Sequence, residues 1–87
     1  MAPRLKWPPL RSLVRVEWLD ARAAPPWMAL DDVELLELAR IRTAGFLVRR
    51  DKDVVVIAGQ CAEDDDVSNV AIIPAKCVVS VWARKTR

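Results

Sequence analysis

Ile41-Arg-Thr-Ala-Gly-Phe-Leu-Val-Arg-Arg-Asp-Lys-Asp-Val-Val-Val-Ile-Ala58 is the stretch from which the fold is read. Ile41, Thr43, Gly45 and Leu47 fall on one side of an extended chain, and Arg42, Ala44, Phe46 and Val48 on the other. That period of two is the mark of a strand, and Gly45 within it predicts a bend or bulge. Arg50-Asp-Lys-Asp53 then reads as a charged turn. Val54 to Ala58 is β-branched and apolar on both faces, as in a central, covered strand. Two such runs around a short polar turn predict a β-hairpin.

Working outward, Ser12 to Leu19 alternates in the same way, with Val14, Val16 and Trp18 on one face and Arg15 and Glu17 on the other. Pro25-Pro26 forbids regular structure in the connection from Asp20 to Leu30. Asp31 to Arg40 predicts a helix of two to three turns. Asp31 would be its N-cap, Glu34 would complete a capping box, and Leu30 and Leu35 would staple its entry. Downstream, Cys61 to Asp66 is an acidic loop and Val70 to Ile73 a short strand. Pro74-Ala-Lys76 is a tight break with room for one 3₁₀ turn. Val78 to Ala83 is a last strand, with Val79 and Val81 on one face and Val78, Ser80 and Trp82 on the other. These elements predict a mainly β fold: a small five-stranded antiparallel SH3-like or Sm-like barrel, with one short helix between the first and second strands. Residues 1–11 read as a basic Pro-rich arm, loose unless Trp7 docks; 12–84 read as the single domain and 85–87 as a basic tail.

Eighty-seven residues hold one domain and a small core. Lys plus Arg is 14 and Asp plus Glu is 12, a net charge of +2 that does not suit a dedicated non-specific nucleic-acid binder. The absence of His removes the commonest general base and metal ligand. Cys61 and Cys77 are too few for a disulfide framework or a zinc site. They read as reduced core residues, or as one disulfide if two strands place them side by side. The first ten residues lack a signal-like apolar run, and no stretch is long and apolar enough to span a membrane, so a cytoplasmic location is expected.

A series of short motifs carries a resemblance. They are Val16-Glu-Trp-Leu-Asp20, Trp27 ahead of an acidic helix start, Ala44-Gly-Phe-Leu-Val48, Asp51-Lys-Asp-Val-Val-Val-Ile-Ala58, and Ile73-Pro-Ala-Lys-Cys-Val-Val-Ser-Val81. Their order resembles a family of small uncharacterised phage and prophage proteins, over roughly residues 13–82. The resemblance implies an SH3-like or Sm-like fold and a phage-linked origin, and it supplies no catalytic residue. Sm-like RNA binders carry an Asp and an Asn in the turn after the second strand and an Arg-Gly before the last. This chain has Arg50-Asp-Lys-Asp53 and Pro74-Ala-Lys-Cys77 there, so it departs from both.

No residue pattern supports an enzyme. Ser12, Ser68 and Ser80 lack a base. The run Glu63-Asp-Asp-Asp66 reads as a solvated loop rather than a cation site, because neighbouring carboxylates cannot all face one ion. Neither cofactor nor metal is expected. What remains is surface. Residues 23–39 hold four acids and no base, whereas Arg40, Arg42, Arg49 and Arg50 follow directly. With Lys76, those arginines are the candidate surface for nucleic acid or an acidic partner, and Arg84, Lys85 and Arg87 extend the charge at the end of the chain. Trp27, Val78 and Trp82 are the candidate protein-contact residues, since Trp is enriched at interface hot spots. The expected activity is therefore a non-enzymatic, protein-binding or self-associating module of phage type. The alternative is Sm-like RNA binding, whose affinity would fall steeply with salt.

Overall fold

The computed structural model describes residues 5–21 and 26–83. Arg22 to Pro25, Arg84 and the tail 85–87 lie outside the described residues, as does the start of the arm. Five strands form one antiparallel sheet: β1 (Leu13–Asp20), β2 (Ala39–Arg50), β3 (Val54–Cys61), β4 (Val67–Pro74) and β5 (Val78–Ala83). Their order across the sheet is β4-β3-β2-β1-β5. The edge strands β4 and β5 are consecutive in the chain and joined only by a 3₁₀ turn, Ala75–Cys77. A three-residue link can join opposite edges only if the sheet curls until they approach at that corner. The sheet stays open among the described residues, because no ladder joins β4 to β5.

The inner face of the curl holds the core. Val14, Val16, Leu47, Val55, Ile57 and Ile73 are buried in one cluster, and Trp7, Trp18, Val78, Val81 and Ala83 pack around it. The strand positions among them follow the alternation that the sequence displays, except Val78 on β5, and so the hairpin of β2 and β3 is legible in it. Gly45 is buried opposite Val14. A Cβ built on it would lie 2.5 Å from the Ala58 carbonyl oxygen and 2.8 Å from Ile57 Cγ2. Glycine is there so that β3 can approach β2.

Two bulges set the rest of the geometry. Leu47 pairs with Ile57, but Arg49 pairs with Val56, so Val48 is the extra residue. The expected bulge at Gly45 thus falls three residues later. Beyond it the parity of β2 reverses, and Arg50 comes to the core side opposite Val55. The second bulge makes Val79 the extra residue, since Glu17 pairs with Ser80 and Trp18 with Val78. Val78 therefore packs on the core while Trp82 stays outside, and the expected common face of Val78, Ser80 and Trp82 is broken.

The helix differs most from expectation. It is a single turn, α1 (Leu30–Val33), starting at Ala29 with no side-chain cap, so Asp31 is not the N-cap. Later bonds, Leu35 N–H to Asp32 O and Leu36 N–H to Val33 O, are 3₁₀-like, and regular structure then stops. The cause lies in the apolar spacing. At 100° per residue, Leu30, Val33 and Leu36 would line one side of a longer helix and Leu35 and Leu38 the opposite side. No single surface could bury both, and a helix this short does not persist unburied. Leu30 and Leu35 make no staple; both are exposed. Ala39 and Arg40 instead enter β2, paired with Asp20 and Leu19.

Candidate functional site

The outer face of the sheet is built by the positions that alternate with the core. Across β5, β1 and β2 its rows read Trp82–Arg15–Ala44 and Ser80–Glu17–Arg42, with Leu19–Arg40 beyond. Across β1 to β4 runs an apolar row, Leu13–Phe46–Ala58–Val70, and beside it Arg49–Val56–Ile72. Leu13, Val70, Ile72 and Trp82 are all exposed.

Charge on this face is organised around Glu17. Arg42 Nε donates to its Oε1 at 3.2 Å, Arg40 Nη1 lies 3.3 Å from Oε2, and the Ser80 hydroxyl donates to Oε2 at 3.4 Å. The hydrogen bond from Arg42 holds the Glu17 carboxyl below its ordinary value against partial desolvation, helped by the charge of Arg40. Two guanidinium groups share one carboxylate, which leaves positive charge in excess. The Arg15 guanidinium lies 5.5 Å from the Trp82 ring centroid, within cation–π range.

The five cations singled out from sequence do not form one strip. Arg40, Arg42 and Arg49 stand on the outer face; the first two converge on Glu17 and Arg49 binds Asp51 at 2.8 Å. Arg50, reversed by the bulge, lies 5.3 Å from the Trp7 ring centroid. Lys76 stands on the 3₁₀ turn, exposed. Arg15 was not among the sequence candidates. Its alternation opposite Val14 and Val16 signalled an outward position, but only the register reveals Trp82 as its neighbour. Trp7 docks on the core, and Arg11 N–H bonds to Leu47 O, so residues 7–11 of the expected arm are tied to the sheet.

The turn after β2 is self-contained. Asp51 accepts from the amides of Asp53 and Val54 and from Arg49, which together hold its carboxyl below the usual range. The loop Cys61–Asp66 is exposed and closed by its own backbone, with Asp65 bound to Arg11 at 2.7 Å. Cys61 is exposed and Cys77 half-buried, and both are free thiols, so Cys61 is not the core residue expected. The end of β3 faces open solvent, where no packing recruits it. Among the described residues no cluster of His, Cys, Asp or Glu is arranged to hold a metal, and no helix is long and apolar enough to cross a membrane.

The most unusual surface is the insert between β1 and β2. Trp27 is 91% exposed, Leu35 79% and Leu30 73%, and Val33, Leu36 and Leu38 are exposed as well. Asp31, Asp32, Glu34 and Glu37 are interspersed among them and also exposed. Large apolar side chains gathered on one exposed segment are uncommon on the surface of a monomeric protein. No protein-family model, curated protein or solved structure matches the chain.

Proposed function

We propose that this chain is a non-enzymatic accessory module, of the phage or prophage type its motifs resemble, that works by binding protein. The exposed acidic-apolar insert 27–38, with Trp27 at its start, carries the reading. Such a segment gains free energy only when a partner covers its leucines, by about 25 cal/mol per Å² of apolar surface removed from water. A rigid sheet on which the insert is mounted suits a docking module. The strand order and the three-residue link between its edges support an SH3-like barrel as the finer architecture. The two free thiols suit a reducing compartment, the cytoplasm of a bacterial host.

The test is affinity capture on the immobilised full chain, wild type beside a Trp27→Ala/Leu35→Ser variant of unchanged circular dichroism. Expected is a bound protein, or the soluble chain itself, that the variant no longer retains. Equal retention by both, or retention of nucleic acid alone, overturns the reading.

A further inference from the structure

We infer that the insert's partner is a second copy of this chain, docked through the outer face of its sheet. The inference rests on the protein-binding reading and names the partner. Charge sorting is the main ground. Residues 26–39 carry four acids and no base. The outer face carries Arg15, Arg40, Arg42 and Arg49 against two acids, Glu17, which is shared by Arg40 and Arg42, and Asp51, which binds Arg49 from the neighbouring turn. Exposed apolar side chains stand at both edges of that face, Trp82 on β5 beside Arg15 and Ile72 on β4 in the row of Arg49, for the leucines of the insert to cover. Each surface thus holds what the other lacks: apolar side chains with carboxylates on one, apolar side chains with guanidinium groups on the other.

The contact forms between chains, not within one. The insert leaves the far end of the β1–β2 ladder, beyond the Asp20–Ala39 pair, and its side chains stay exposed there. Two chains related by a two-fold axis would exchange inserts reciprocally, so one arrangement satisfies both contacts and closes. Like charges on two inserts, or on two outer faces, oppose the alternative pairings.

The experiment is sedimentation equilibrium on the full chain and on two charge-reversed variants. One is Glu34→Lys/Glu37→Lys, in the insert. The other is Arg15→Glu/Arg40→Glu, on the face, where Arg42 still serves Glu17. Circular dichroism and a thermal melt confirm that each folds. Expected is a wild-type dimer that weakens with salt, and variants whose dissociation constants rise about tenfold or more. An equimolar mixture of the two variants restores wild-type association, because the lysine insert then meets the glutamate face and the native insert meets the native face. A wild-type chain that stays monomeric up to millimolar concentration overturns the inference. So does a mixture no tighter than its components, or assembly that grows without closing. If it falls in any of these ways, capture of another protein that depends on Trp27 leaves the broader reading standing; capture of nothing sinks that reading too.

Discussion

Replacing Gly45 with Ala should be among the most damaging single-methyl changes in this chain. The added Cβ would lie 2.5 Å from Ala58 O and 2.8 Å from Ile57 Cγ2. A carbon normally stays about 3.3 Å or more from a carbonyl oxygen. β2 and β3 must therefore separate by roughly 0.8 Å at a point where Ala58 and Ile57 are fully buried. The obstacle is backbone, which cannot swing aside as a long side chain could. Overpacking of this kind costs about 3 kcal/mol. For a domain of this size that lowers the melting temperature by about 12 °C or more. Gly59→Ala is the control, since its Cβ would meet Asn69 alone, at 3.0 Å from that residue's Cβ and 3.6 Å from its carbonyl oxygen, on an exposed stretch of β4, and should cost less than about 1 kcal/mol. The assay is thermal unfolding followed by circular dichroism. A Gly45→Ala protein that melts within about 3 °C of wild type would refute the close approach of β3 to β2.

Trp18→Phe keeps the inner-face packing but removes the indole N–H donated to Thr43 Oγ1 at 3.0 Å, so unfolding in urea should show a loss of about 1 kcal/mol. Acid should weaken the fold, because Asp51 and Glu17 both have lowered pKa values and the fold favours their ionised forms. That stability is complete above the unfolded carboxylate values and is lost as pH falls through the folded ones. Melting temperatures measured down through the carboxylate range should therefore fall, and Asp51→Asn should flatten the descent. Trp27→Ala should leave stability within about 0.5 kcal/mol of wild type, and at concentrations where the chain is monomeric should remove the fluorescence most open to iodide quenching, since Trp27 is 91% exposed.

Much of the scaffold is legible in the sequence because one-sided burial forces alternation. Val14 and Val16, Leu47, and the β-branched run from Val54 announce their strands without any partner. What alternation lacks is the identity of the residue across the ladder. Glu17 could be placed outside by parity, but only the register brings Arg40, Arg42 and Ser80 around it. Bulges are invisible for a related reason. The extra residue at Val48 reverses every later position of β2, bringing Arg49 to the outer face and Arg50 to the core side, and the one at Val79 separates Val78 from Trp82. The helix misled because its start signals are local, whereas its persistence depends on burying one continuous stripe. Leu35 and Leu38 lie opposite Leu30 and Val33, so that stripe does not exist. The same spacing leaves the leucines of the insert exposed, and Trp27, a candidate contact residue by its type, is 91% exposed beside them.

Hydrogen exchange of the insert amides tests the central claim most directly, measured on one wild-type preparation at dilute and at high concentration. Association through the insert predicts that exchange in residues 27–38 slows as concentration rises, and that the outer strand positions around Arg15 and Trp82 gain protection with it. Exchange in 27–38 that keeps one rate across the whole range, while the chain associates through some other surface or not at all, would contradict the account.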